Sequence, residues 1–314
     1  MNKLTYFPGC SAHGTSEEFD HTLKLVMKTL DVQMDEIPDW NCCGATSAHV
    51  MTENLAFALP LRNLVLAEKL ENKTMGIACA SCYARMKVTK KEMDEHPELA
   101  QRINSTIIEE GEYTGSVDVQ SMLQYCYETI GLETIKSKVT KSLAGLKVAC
   151  YYGCLLTRPK NVTHFDSPEY PMSMDYLMEA LGAEAVEFDF KTECCGASFS
   201  ISNTDVVHSL SGKILEMAKA SGAHMIVVAC PLCQSNLDMR QPDIAKMLKT
   251  KLDIPVMYFT QLMALAFGFP KEELRFPKHI VPVEDALSNI GKIQPAPEKA
   301  KKTKKAVEAE SEVE

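Results

Sequence analysis

No apolar run in this 314-residue chain approaches the roughly 18–20 residues that a helix needs to cross a membrane. The opening, MNKLTYFPGC, lacks a basic segment followed by an apolar core, so no secretory leader is expected there. Positive charge is not in excess. Lys and Arg number 33 against 42 Asp and Glu, and the formal net charge of −9 excludes the basic footprint of a nucleic-acid binder. A cytoplasmic location is therefore expected. Thiols stay reduced there, and grouped cysteines serve metal binding or catalysis more often than disulfides. The length suggests about two domains, each large enough to bury its own core.

What the chain does have is one cysteine pattern, twice. The first copy is Cys10, then Cys42-Cys43-Gly44, then Cys79-x-x-Cys82. The second is Cys154, then Cys194-Cys195-Gly196, then Cys230-x-x-Cys233. The gaps are 31 against 39 residues, then 35 against 34. Ten of the twelve cysteines fall into these sets, which argues for two equivalent thiolate-rich sites on two related half-domains.

The halves also align outside the cysteines. Tyr6-Phe7-Pro8-Gly9-Cys10 matches Tyr151-Tyr152-Gly153-Cys154, and Cys42-Cys43-Gly44-Ala45-Thr46-Ser47 matches Cys194-Cys195-Gly196-Ala197-Ser198. The expected division is 1–138, 144–275 and an extension, 276–314, that is solvated and flexible. Its end, from Pro295 through the Glu-rich stretch to Glu314, has too little apolar surface to offset the entropy of ordering it.

Short apolar segments predict strands at Leu4–Phe7, Met75–Ala78, Val117–Val119, Lys147–Tyr151, Ala185–Phe188, Met225–Ala229 and Val256–Phe259. Helical spacing of Phe19, Leu23, Val26, Met27 and Leu30 predicts a helix over Glu17–Leu30, capped by Thr15 or Ser16. Further helices are expected over Glu53–Leu70, kinked or broken at Pro60, and over Thr204–Ala220. Alternating strands and helices imply parallel sheets, with the cysteines at strand C-terminal ends, where ligands bind in open α/β sheets.

Five thiols per half exceed the four of a structural zinc site, and adjacent cysteines diverge in direction, so both reach one small ion poorly. An iron–sulfur group is larger and takes thiolate ligands by preference. Disulfide staples and isolated buried thiols are the alternatives for the ten. Isolated burial is the reading for Cys126 and Cys150, although Cys150 could replace Cys154 in the second set. Gly9, Gly44, Gly153 and Gly196 suit tight turns and close backbone approach around such a group, and equally plain turns.

At these residues the sequence resembles the CCG, or cysteine-rich, domain family. Within it, Tyr6-Phe7-Pro8-Gly9-Cys10 and the paired Cys-Cys-Gly-Ala segments resemble the B-type subunit of the CoB–CoM heterodisulfide reductases, over roughly residues 1–275. The resemblance implies an α/β fold of two pseudo-twofold-related CCG domains, each a small, mostly parallel sheet with flanking helices, plus a flexible C-terminal tail. It implies two non-cubane 4Fe-4S clusters, one held by Cys10, Cys42, Cys43, Cys79 and Cys82, the other by Cys154, Cys194, Cys195, Cys230 and Cys233. Both would face a common cavity in which a disulfide between two thiol cofactors is cleaved. No ferredoxin-type C-x-x-C-x-x-C-x-x-x-C-P run is present, so the resemblance implies electrons from a small ferredoxin-like iron–sulfur subunit, fed in turn by the flavin-containing subunit of the same complex.

Two other classes of function stay open: an electron-relay iron–sulfur subunit of a dehydrogenase complex, and a zinc-stabilised interaction module. Arg85, Lys87, Arg158 and Lys160 follow ligand cysteines in sequence and are the candidates for binding substrate anions, against an ordinary role on a solvated face. His13, His49 and His164 are the nearby proton sources, against ordinary surface or capping histidines.

Overall fold

The computed structural model describes residues 2–45 and 48–292. The first half runs β1 (Asn2–Phe7), α1 (Glu17–Thr29), β2 (Val32–Glu36), α2 (Ala48–Met51), α3 (Glu53–Glu68), β3 (Thr74–Ile77), α4 (Ala80–Glu95), α5 (Pro97–Asn104), β4 (Asp118–Ser121), α6 (Met122–Gln124) and α7 (Leu132–Ser137). The second runs β5 (Lys147–Tyr151), α8 (Lys160–Thr163), α9 (Ser173–Ala180), β6 (Glu184–Ala185), α10 (Thr204–Ala220), β7 (Met225–Val228), α11 (Pro231–Asp238), α12 (Gln241–Leu248), β8 (Val256–Tyr258), α13 (Phe259–Ala266) and α14 (Glu284–Leu287).

Each half builds one four-stranded parallel sheet, in the orders β2-β1-β3-β4 and β6-β5-β7-β8. In both, the chain leaves the first strand to one side and returns on the other. The crevice between β1 and β3, and that between β5 and β7, is the point where strand order reverses, and backbone groups and loops open there for a ligand. Cys10 and Cys79 follow β1 and β3; Cys154 and Cys230 follow β5 and β7. The α/β class with two repeated parallel sheets is as the sequence implies.

Individual elements differ in instructive ways. The β2 strand, Val32–Glu36, was not expected, because in this edge strand only Val32 is buried and only Val32 and Met34 are apolar, a weak signature. The β6 edge strand is only Glu184–Ala185, since after Val186 the chain turns toward β5 and the Lys191 carbonyl accepts from the Tyr152 and Gly153 amides at 2.8 and 3.1 Å. Helix α3 runs unbroken through Pro60. Proline has no N–H for the Ala56 carbonyl, and the Arg85 guanidinium donates to that carbonyl instead. Ser16 occupies the N-cap position of α1, yet its side chain caps nothing.

A continuous apolar core joins the halves. Helix α1 packs on α13, with Phe19 stacked on Tyr258 at 4.3 Å and Thr22 hydrogen-bonded to Thr260 at 2.8 Å. The Tyr83 hydroxyl donates to the Thr163 carbonyl at 3.1 Å. A strap beyond Arg275 crosses the same seam. The Ile280 and Val281 amides donate to buried Asp238 at 2.8 and 3.1 Å, and Lys278 pairs with Glu17 at 3.2 Å. The solvated run expected from 276 is thus packed chain through α14, because Phe276, Val281, Val283, Ala286 and Leu287 are buried. Residues 293–314, and with them the expected tail, lie outside the described residues, as do Thr46, Ser47 and the side chain of His49.

Beside the second cysteine set, Lys191 and Asp175 are an ion pair at 2.6 Å with both side chains almost wholly buried. Asp175 also accepts from the Tyr152 hydroxyl at 2.8 Å, and Lys191 donates to the Pro171 carbonyl at 3.0 Å. The pair therefore holds the turn that carries Gly153 and Cys154. Removing one partner strands a buried charge. Asp175→Ala is expected to lose about 3–5 kcal/mol of stability in urea titration, and a loss below about 1 kcal/mol would contradict this role.

Candidate functional site

The local chain explains why the thiols converge. Cys79 and Cys230 are the N-cap residues of α4 and α11, and Cys82 and Cys233 lie one turn inside. Each Cys-x-x-Cys pair thus faces a helix N-terminus, whose free N–H groups favour thiolate. Pro231 at the first helical position of α11 removes no needed donor. Gly9 and Gly153 have φ of +77° and +72°. A Cβ on Gly9 would stand 3.4 Å from Cys82 Sγ, and one on Gly153 would stand 3.0 Å from Cys233 Sγ. Glycine at both positions lets the loop after the first strand close on the second cysteine of the pair.

The vicinal pairs complete each set. Cys43 Sγ donates to Cys82 Sγ at 3.2 Å, and Cys195 Sγ to Cys233 Sγ at 3.7 Å. The other member of each pair turns outward: Cys42 and Cys194 are exposed, next to Cys10 and Cys154. The Gly44 and Gly196 amides donate to Cys42 Sγ and Cys194 Sγ at 3.5 and 3.3 Å. The Cys154 thiol, donating to Cys194, lowers the latter to about 6, with the Gly196 and Ala197 amides helping and burial opposing. At the junction of the halves Cys79 meets Cys230. Donation from Cys233 and from Cys79 holds Cys230 well below the usual thiol range, and Cys79 is pushed up by the same contact.

All twelve cysteines are free. Cys126 is fully buried in the π-helical turn Tyr125–Ile130, where burial pushes it up to about 12. Cys150 is buried within β5. Among the described residues, no three His, Cys, Asp or Glu side chains are grouped to hold a single metal ion. The donor set instead suits a larger, thiolate-loving body. Five cysteine sulfurs in each half surround a strand crevice, two backbone amides point at them, and glycine stands where a Cβ would intrude. Clustered cysteines of this kind fit an iron–sulfur group.

A cavity of about 250 Å³ lies between the halves. Ala45, Ser81, Ala84 and Arg85 wall it on one side; Cys154, Arg158, Cys194 and Leu232 are among the residues on the other. Arg85 and Arg158 of the candidate anion binders thus come together there. Burial lowers Arg85 below the usual guanidinium range, and its Nε has no partner. Arg158 donates to the Pro168 carbonyl, to Glu169 and to Thr192 at 2.7, 2.9 and 2.7 Å. Lys87 lines a different pocket, with Lys90, Lys91 and His164, and Lys160 is exposed at the start of α8. His13 stacks on Trp40 at 5.7 Å between ring centres. Sequence reasoning missed Ser81 and Leu232, the x positions of the two Cys-x-x-Cys motifs that reach the cavity wall, which the motif spacing itself marks.

No helix among the described residues is long and apolar enough to cross a membrane. The model of the cysteine-rich domain, CCG, matches residues 4–87 and 148–238. The chain is 32% identical over 282 residues to the 8-methylmenaquinol:fumarate reductase membrane anchor subunit of Wolinella succinogenes, covering 90% of this chain and 98% of that one. It is 31% identical over 297 residues to the B-type subunit of the ferredoxin/F420H2-dependent CoB–CoM heterodisulfide reductase of Methanosarcina acetivorans, covering 93% and 98%. In fold, it is similar to a hypothetical protein from Helicobacter pylori, with a TM-score of 0.71 at 12% identity, over 90% of this chain and about half (52%) of that one. With both repeats matched, each on its own parallel sheet, the chain belongs to the cysteine-rich CCG domain family.

Proposed function

We propose that this chain is the catalytic iron–sulfur subunit of a cytoplasmic heterodisulfide reductase complex. It would reduce a thiol-cofactor disulfide such as CoM-S-S-CoB, or an analogue. The observation that carries the reading is the cavity between the halves, walled by Cys154 and Cys194 from one cysteine set and by Ala45 and Ser81 beside the other. Two relatives named for the B-type subunit of such reductases support it.

The ligands proposed for one non-cubane 4Fe-4S cluster are Cys10, Cys42, Cys43, Cys79 and Cys82. Those for the second are Cys154, Cys194, Cys195, Cys230 and Cys233. When bound, such clusters supply one-electron transfer and a thiophilic iron. The chain's residues do the rest. The apolar wall of Ala84, Val88, Leu155 and Pro159 keeps water from the disulfide. Arg85 and Arg158 orient its anionic arms. The electron donors would be the ferredoxin-like iron–sulfur subunit and the flavin-containing subunit of the same complex.

A second reading has its own support. The Wolinella relative is a subunit of a fumarate reductase, so an electron-relay role without disulfide turnover fits the same cysteines. Turnover separates the two. Reduction of a heterodisulfide by the purified complex supports the first; electron passage to a partner with no disulfide reduction supports the second. A zinc-stabilised module would contain zinc and no sulfide.

Three outcomes follow for variants. Cys194→Ser should lower bound iron by up to about half and leave the far-ultraviolet circular dichroism unchanged, because each sheet has its own ligand set; loss of all iron would contradict two sites. Cys126→Ala should change neither iron content nor turnover, and a cluster defect in it would refute the ligand sets. Arg158→Gln should raise KM for an anionic disulfide roughly 10- to 100-fold with kcat little changed, the weight of one charge-assisted hydrogen bond. An unchanged KM would remove Arg158 from the substrate site.

A further inference from the structure

The two cysteine sets match in spacing but not in what bonds their sulfurs. Backbone amides do not distinguish them, since Gly44 and Gly196 donate to Cys42 and Cys194 alike. A side chain does. Asn236 lies on α11 three positions after Cys233, and its counterpart on α4, three positions after Cys82, is Arg85. Asn236 is 2% exposed, and its Nδ2 donates to the Cys195 carbonyl at 3.2 Å and to Cys195 Sγ at 3.6 Å. One amide nitrogen carries two hydrogens, so both bonds form together. Arg85 turns elsewhere and donates to the Ala56 carbonyl. Its charge acts on Cys43 only through space. Among the described residues, no amide, hydroxyl or guanidinium side chain hydrogen-bonds Cys43 Sγ, whose partner is Cys82 Sγ.

Neighbours fix the way the Asn236 amide points. Its Oδ1 accepts from Ser200 Oγ at 3.0 Å and from Arg240 Nε at 3.3 Å. A guanidinium only donates, so the atom facing Arg240 is the oxygen, and the NH2 is left facing the sulfur. Arg240 is itself held, donating from Nη2 to the Ser200 carbonyl at 2.7 Å. Ser211 Oγ donates to the same Cys195 carbonyl at 3.0 Å. The loop that carries Cys195 thus has a second anchor. What Asn236 adds, and Ser211 does not, is the bond to sulfur.

We propose that Asn236 tunes the second site, raising the reduction potential of the iron–sulfur group held by Cys154, Cys194, Cys195, Cys230 and Cys233 through its bond to Cys195 Sγ. This deepens the cluster reading and rests on it. The step concerned is the arrival of one electron from the ferredoxin-like donor; no bond is made or broken and no proton moves. The electron adds negative charge that spreads onto the cysteine sulfurs. An N–H aimed at one of them stabilises that charge more than it stabilises the oxidised state. Asn236 acts through Cys195 and is a positioning residue. One such bond is expected to change the reduction equilibrium about tenfold, which for one electron is about 59 mV. The first site, with Arg85 at the matched position, has no such bond, so the repeat carries two similar ligand sets with different surroundings.

The test uses the full, iron-loaded chain and a redox titration followed by electron paramagnetic resonance. Asn236→Leu should lower one of two midpoint potentials by about 59 mV, a tenfold weaker reduction, and leave the other in place. On a Cys43→Ala background, expected to disrupt the first set, the same substitution should still move the remaining midpoint. Ser211→Ala removes a bond to the Cys195 carbonyl and spares the sulfur, so it should move neither midpoint. Both midpoints unmoved in Asn236→Leu would overturn the proposal. An equal shift in Ser211→Ala would overturn it too, because the effect would then belong to the loop and not to the sulfur. Should Asn236→Leu load no iron, Asn236→Met, unbranched and adaptable in shape, is titrated in its place. Loss of iron in both would make Asn236 a structural anchor and end the tuning role. The cluster reading fails by a different result, a wild type with zinc and no sulfide, and this proposal falls with it. A wild type whose midpoint responds to Asn236→Leu but that reduces no disulfide refutes the substrate reading and leaves the role of Asn236 standing.

Discussion

The contact between Cys79 and Cys230 is the constraint on which the rest of the molecule depends. Each caps a helix that leaves the central crevice of its own sheet, so bringing the two together forces the two crevices to face one another. The cavity between the halves, the pairing of α1 with α13 and the strap over the seam are ways of holding that one approach. Donation from Cys233 and from Cys79 holds Cys230 below the usual thiol range, and the contact with Cys230 pushes Cys79 up.

The repeat made most of this legible. Matched spacing of Cys10, Cys42-Cys43 and Cys79 with Cys154, Cys194-Cys195 and Cys230 foretold two similar sheets with cysteines beyond the strand ends. Parallel β/α connectivity does the rest by placing those ends at one crevice. Strand Lys147–Tyr151 and helix Thr204–Ala220 match the sequence reading residue for residue, because their apolar periodicity is undiluted. Polar edges were harder. Strand Val32–Glu36 alternates only Val32 and Met34 with polar residues, too short a signal by itself, and its place follows from pairing with β1.

Other features depend on residues far apart in sequence. That Pro60 leaves α3 intact is explained by Arg85, 25 positions on, whose guanidinium serves the orphaned Ala56 carbonyl. The same side chain lines the cavity, so a residue singled out for substrate binding has a structural duty as well. Lys87 and Arg85 are neighbours but sit on different faces of α4, as the helical period dictates. The buried polar seam of Ser16, Glu18, Asp238, Tyr258 and His279 joins four segments, and no local pattern announces it.

The central claim is that both cysteine sets serve one cavity. The direct measurement compares Cys43→Ala with Cys195→Ala, each expected to disrupt one set. Both are assayed for reduction of a thiol-cofactor heterodisulfide with an artificial donor, while electron paramagnetic resonance follows the surviving centre. The account predicts that neither variant turns over, although the surviving centre in each is still reduced. Substantial turnover by either variant would contradict it.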